Sequence, residues 1–178
     1  MVLRPEPVVA CVERILRDRG PGRVVLLTPG GRPFTQAVAR EFAAEDHVVL
    51  VCGRYEGFDE RIRDLLRPDE VSLGDFVLSG GEIAAMAVMD AVVRLLPGAL
   101  GDARSSETES FAAGPDLRGD EIEAPQYTRP PEFRGLAVPE VLLSGDHARI
   151  DEWRKVESRK RTARRREASR EHTQRGAT

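Results

Sequence analysis

Two runs of branched aliphatic residues, Arg23 to Leu27 (RVVLL) and Val48 to Cys52 (VVLVC), constrain the fold more than any other feature of the sequence. Both have the length of a short strand and are apolar without alternation, the pattern of a strand covered on both faces. Each ends in a loop with glycine, Thr28-Pro29-Gly30-Gly31 after the first and Gly53-Arg54 after the second. Helical patterns surround them. Val8, Val9, Val12, Ile15 and Leu16 fall at helical spacing within residues 5–19, with Pro5 in the tolerated first turn and Gly20 past the end. Thr35 to Ala44 and Asp59 to Leu66 read as two more helices. A third strand is expected over Val71 to Leu78, interrupted by Gly74 and Asp75. Glu82 to Leu96 is apolar almost all round, which predicts a helix buried between the sheet and another surface. This alternation, in a chain whose aromatic content is only 5% and whose core must therefore rest on small aliphatics, gives an α/β fold with a parallel sheet and flanking helices. Ligands in such sheets bind at the carboxyl ends of the strands, where these glycine-rich loops lie.

The 178 residues suffice for one substantial domain and an appendage. The three expected regions are 1–100, the sheet and its helices; 101–131, a polar linker rich in Ser, Glu, Gly and Pro; and 132–178, a helical basic segment beginning in earnest at Asp146. Charge is unevenly spread. Residues 154–178 hold ten Lys or Arg against Glu157, Glu167 and Glu171, a net of +7, so the remainder carries -10 of the formal total of -3. A basic segment on an acidic body suits a polyanionic partner, nucleic acid above all, and suits a solvated terminus equally. Cys11 and Cys52 have no metal-ligand or disulfide spacing, and His47, His147 and His172 are scattered, so no metal site is expected. Without a secretory leader pattern or an apolar run of roughly 18 residues, neither export nor membrane insertion is expected, and the location is read as cytoplasmic.

Three loops would converge on such a sheet: residues 28–31, Cys52 to Gly57 (CGRYEG) and Ser72 to Gly81 (SLGDFVLSGG). Glycines there allow backbone to approach a ligand, whose adenine edge could meet main-chain amides while Leu73, Phe76 and Leu78 offer apolar contact. Ordinary turns would use the same residues. Neither a GxGxxG opening a helix nor a GxxxxGK[ST] is present, which leaves dinucleotide and P-loop readings without support.

The segments CGRYEGFDER at 52–61, SLGDFVLSGGE at 72–82 and YTRPPEFRGLAVPEVLLSGDHARIDEWR at 127–154 closely resemble the bacterial tRNA (guanine-N1)-methyltransferases, the TrmD family of the SPOUT class. The resemblance implies a trefoil-knotted core that binds S-adenosylmethionine (SAM), a homodimer, and methyl transfer to N1 of guanine 37 in tRNA, with no membrane involved. Cofactor contacts are implied for Pro29, Gly53, Tyr55 and Glu56, and for Leu73, Gly74, Asp75, Phe76, Val77, Leu78, Gly80 and Gly81. The catalytic pair implied is Glu109, as the carboxylate that takes the guanine proton, and Arg94, which supports the guanine or that carboxylate.

This sequence departs from the family pattern in several places. Glu109 stands where the family has aspartate, Gly30 replaces a usual glutamine and Ala84 a usual proline. The extra methylene of Glu109 matters, because misplacing a catalytic group by about 1 Å costs on the order of 100-fold in rate. Met1 to Pro5 resembles a point after the family's first glycine-rich region, and the end resembles a shortened C-terminal tRNA-binding domain. The expectation is thus a core incomplete at its beginning. Two other readings stay open: a degenerate paralogue that binds SAM or RNA with little catalysis, and a nucleic-acid-binding protein that works through its basic segment without a cofactor. Tyr55 and Arg54 could also be structural, through packing and ion pairing.

Overall fold

The computed structural model describes residues 1–99, 109–114 and 117–175. The chain divides into two compact units, Met1–Ala103 and Arg104–Thr178.

In the first unit, α1 (Pro5–Arg19), β1 (Arg23–Pro33), α2 (Gln36–Ala43), β2 (Val48–Cys52), α3 (Arg61–Leu66), β3 (Asp69–Ser72) and α4 (Glu82–Val93) follow in order. The strands form a parallel sheet in the order β2-β1-β3. This agrees with the expected α/β class. Val25 and Leu27 of β1 point to one side of the pleat and pack with Val38 and Phe42 of α2, Val71 of β3, and Ala84, Ala85 and Val88 of α4. Leu26, on the other side, is fully buried, as is Ile62 of α3, and Val12 of α1 nearly so. Thr35 caps α2 by accepting a hydrogen bond from the Val38 N–H at 3.4 Å.

Charge reinforces the start of the sheet. Arg23 Nε donates to Glu45 at 2.8 Å and its Nη1 to Asp69 at 3.1 Å. Arg32 grips Asp69 with two nitrogens, at 3.0 and 2.7 Å, and reaches Glu41 at 2.7 Å. These hydrogen bonds hold the Glu41 carboxyl below its ordinary range and keep the Arg32 guanidinium more firmly protonated than usual.

Three expectations need correction. β1 does not stop at Leu27 but runs on to Pro33, with a register shift: Leu27 and Arg32 both pair with Val71. Residues 28–31 are therefore an excursion inside a strand rather than a loop after it. β3 is Asp69–Ser72 instead of Val71 to Leu78, because Gly74 has φ +152° and Ser72 Oγ hydrogen-bonds both the N–H and the carbonyl of Gly74, turning the chain. α4 is covered on one side only. Ile83, Met86, Met89 and Val93 are between 48% and 60% exposed.

The second unit is built around a helix of 29 residues, α6 (His147–Arg175), preceded by the short α5 (Glu140–Leu143). Two minimal antiparallel pairs, β4–β5 (Ala113–Gly114 with Leu117–Arg118) and β6–β7 (Glu132–Phe133 with Leu136–Ala137), come before them. Asp146 caps α6 through the Arg149 N–H at 3.2 Å. The chain around Ile122 lies along this helix: Ser158 Oγ donates to the Ile122 carbonyl at 2.6 Å, Thr162 Oγ1 accepts from the Ile122 N–H at 2.9 Å, and Arg161 donates to the Glu123 carbonyl at 3.0 Å. Residues 158, 161 and 162 share one helical face. Arg165 sits over the Phe111 ring at 4.9 Å, and Arg166 pairs with Asp120. Of the mobile linker expected over 101–131, the described residues include Ser110, Phe111, Ile122 and Glu123, which are hydrogen-bonded, while 101–108 and 115–116 lie outside the described residues. The basic segment is helical as expected, yet Arg161, Arg165 and Arg166 are engaged with the second unit's own chain.

Candidate active site

At the carboxyl ends of the first unit's strands is a cavity of about 390 Å³. The excursion after Leu27 provides one wall with Thr28 and Pro29, the loop after β2 a second with Gly53 to Phe58, and the chain from Ser72 to Gly81 a third. The excursion lies close to β3 because Gly31 has no side chain: a Cβ there would stand 2.3 Å from the Val71 nitrogen.

The second and third walls are laced together. Arg54 and Gly80 form an antiparallel bridge, the Gly81 N–H donates to the Gly53 carbonyl at 2.7 Å, and Arg54 Nε donates to Glu82 at 2.8 Å. A Cβ on Gly81 would fall 2.8 Å from the Gly53 nitrogen and 2.9 Å from Cys52 Cα, so the approach of β2's end to the start of α4 requires glycine. Tyr55 holds φ at +59°, a region uncommon for a residue with a side chain, and is 67% exposed at the cavity rim. Phe76, Val77 and Leu78 are also substantially exposed, an unusual concentration of apolar surface around an opening that also presents Glu56, Glu60 and Arg63.

The charged groups are arranged with opposite partners. Glu82 lies below its ordinary carboxyl range, first through a hydrogen bond to its own backbone and then through Arg54. Burial pushes the Cys52 thiol up and the Glu82 carboxylate adds to this. Arg63 is braced between Glu70 at 2.9 Å and Glu60 at 3.0 Å.

Eleven of the twelve expected cofactor residues line this one cavity: Pro29, Gly53, Tyr55, Glu56, Leu73, Gly74, Phe76, Val77, Leu78, Gly80 and Gly81. Asp75 is exposed and does not. Arg94 is the C-cap of α4, in the first unit, and Glu109 belongs to the second. Glu109 accepts the Ala112 N–H through its carbonyl at 3.1 Å, and the adjoining Ser110 Oγ accepts from the Glu123 N–H at 3.1 Å, which makes the 109–112 segment a structured turn. The sequence reading missed Glu60 and Arg63, which sit at the start of α3; the helical pattern of Asp59 to Leu66 marked the element but nothing marked its end as a cavity wall. Among the described residues no cluster of His, Cys, Asp or Glu could hold a metal ion, and no helix is long and apolar enough to cross a membrane.

Residues 1–171 match the family model described as tRNA (Guanine-1)-methyltransferase TrmD. The chain belongs to the TrmD family. Relatives named tRNA (guanine-N(1)-)-methyltransferase include one from Dehalococcoides mccartyi, 55% identical over 167 residues, which are 93% of this chain and 65% of that protein. One from Rhodopirellula baltica is 54% identical over 97% of this chain and 71% of its own length. Another, from Latilactobacillus sakei, is 54% identical over 93% and 65%. With the first and third of these the chain spans 65% of the TrmD relative's length.

Proposed function

We propose that this chain carries out SAM-dependent methyl transfer to N1 of a guanine in tRNA, at position 37 beside the anticodon. The observation that carries the reading is the convergence of two of the shared motifs, 52–61 and 72–82, with Thr28 and Pro29 on one cavity at the strand ends.

The residues present fit the cofactor. A volume of about 390 Å³ lies in the range of small-molecule sites. The glycines at 53, 80 and 81 let the cavity walls close on one another, since a Cβ on each would press on Phe58, Glu82 or Cys52 respectively. Phe76, Val77 and Leu78 offer apolar surface to an adenine, the loop amides and carbonyls offer hydrogen bonds to its edge, and Glu56 offers a negative charge to a cationic ligand. Bound SAM supplies an electrophilic methyl group on sulfur. The protein's part would be alignment and a proton acceptor: Glu109 would take the proton that guanine N1 gives up on methylation, and Arg94 would support the guanine or that carboxylate. A SPOUT-type knotted core is part of the same proposal, supported by family membership and the parallel sheet.

A homodimer is proposed with it. Ile83, Met86, Met89 and Val93 recur at spacings of three and four along α4, and form an exposed apolar stripe on a helix that ends at Arg94. The α6 arginines supply positive charge for tRNA phosphates.

The test is methyl transfer from labelled SAM to unmodified tRNA carrying guanine at positions 36 and 37, with an N1-specific readout and a Glu109→Ala control. Product that disappears in the control is expected. SAM binding without product would assign the chain to a family member that has lost turnover, and absence of SAM binding would sink the proposal.

A further inference from the structure

The second unit contains a cavity of its own, about 330 Å³, between the strap Pro125 to Pro131, α5 and the first turns of α6. Its floor is apolar, with Leu142 and Ile150, the latter only 8% exposed. One side is an aromatic ring: Tyr127 lines the cavity and is 49% exposed, while Trp153, which does not line it, stands against Tyr127 with ring centroids 6.3 Å apart. The tyrosine is therefore a braced platform. Arg129 and Arg154 line the cavity and no carboxylate does. The Arg129 side chain has no hydrogen bond or ion pair among the described residues, and Arg154 has only Asp151, one turn away at 3.6 Å.

An aromatic face, a closed apolar floor and two arginines without a lining acid match the recognition needs of an unpaired nucleotide, whose base stacks on a π-face and whose phosphate takes guanidinium hydrogen bonds. Duplex RNA does not present such a base. The opening also lies at the start of α6, the helix on which the exposed Lys155 and Arg159 continue the positive charge. We propose that this cavity is a subsite for one unpaired nucleotide of an RNA, its base on Tyr127 and its phosphate on Arg129 and Arg154. The inference rests on the reading of tRNA as substrate and adds a second contact remote in sequence from the motifs of the first cavity.

The experiment is fluorescence anisotropy of the full chain with two labelled RNAs, an anticodon stem-loop with its unpaired loop and a fully paired duplex of the same length, across a salt series. Tyr127→Leu is expected to weaken stem-loop binding about tenfold and leave duplex binding unchanged, and Tyr127→Phe to retain affinity for both. Arg129→Gln, at an exposed position, is expected to reduce the salt dependence of stem-loop binding by about one unit of slope, and it stands as the test if Tyr127→Leu fails to fold. Stem-loop binding that neither Tyr127→Leu nor Arg129→Gln alters overturns the subsite and leaves the tRNA reading intact. A change of sedimentation in Tyr127→Leu with unaltered RNA affinity assigns the cavity to protein contact and likewise overturns it. An unmutated chain that binds neither RNA removes the tRNA reading and the subsite with it.

Discussion

Replacing Gly81 with alanine separates two lines of reasoning that give opposite signs. Gly81 has φ -75° and ψ -7°, a conformation alanine adopts without strain, so backbone entropy alone predicts a stabilisation of about 0.4–1 kcal/mol. Packing predicts the reverse. The new Cβ would sit 2.8 Å from the Gly53 nitrogen, 2.9 Å from Cys52 Cα and 3.1 Å from Cys52 Cβ, atoms fixed in or next to the sheet, with no flexible side chain free to move aside. Overpacking of this kind costs about 1–3 kcal/mol, and parting the two segments also weakens the hydrogen bond from the Gly81 N–H to the Gly53 carbonyl, worth about 0.5–1.5 kcal/mol. Setting the entropy gain against these leaves a net loss of about 1–3 kcal/mol, or on the order of 10 °C in melting temperature for a unit of this size. Gly30→Ala is the control, since its Cβ meets nothing within 4 Å; it should stay within about 0.5 kcal/mol of the parent. Gly31→Ala, 2.3 Å from the Val71 nitrogen, should be worse than Gly81→Ala. Urea denaturation of the three variants, with SAM titrations alongside, decides the matter. A Gly81→Ala protein as stable as the parent would refute the claim that close backbone approach fixes this wall of the cavity.

Asp69→Ala removes the acceptor shared by Arg23 and Arg32, and is expected to cost about 1–2 kcal/mol, discounted for the pair's partial exposure, with the difference narrowing in 1 M salt. Thr162→Val leaves the Ile122 N–H without its acceptor at a position only 4% exposed, and should cost about 1–2 kcal/mol with faster hydrogen exchange at the Ile122 amide; unchanged exchange would argue against the docking of that segment on α6. The Asp59 carboxyl is pulled down to about 2 by the Arg61 side chain and then by the Arg61 backbone. A depressed carboxylate contributes stability above its unfolded value of about 3.9, and that contribution is lost as the pH falls through about 2, so Asp59→Asn should flatten the acid limb there. An NMR titration of Asp59 with a midpoint near 4 would contradict this.

The sequence displayed its fold where burial was symmetric and concealed it where charge or contact intervened. RVVLL and VVLVC declared themselves as strands because both faces are covered. Asp69 and Glu70 concealed the start of β3, since an acid in a strand reads as a loop until Arg32 and Arg63 are known to face it. The exposed half of α4 was illegible for a related reason: hydrophobicity states that a face avoids water and says nothing of what covers it. The cavity residues were legible through family motifs, whose glycines at 53 and 81 answer to steric demands that a sequence does not express. The arginines of α6 looked interchangeable in a charge count, yet Arg161, Arg165 and Arg166 serve the second unit's own structure.

The double pairing of Val71, with Leu27 before the excursion and Arg32 after it, separates two inheritances in one strand. The sheet is spliced across residues 28–31, so substitutions within that stretch that respect Gly31 can vary what the cavity presents without moving a rung of the ladder. Thr28 and Pro29 ride on a segment anchored at both ends to the same neighbour. A ligand-facing wall anchored in this way holds the order of the sheet while its composition remains free to drift.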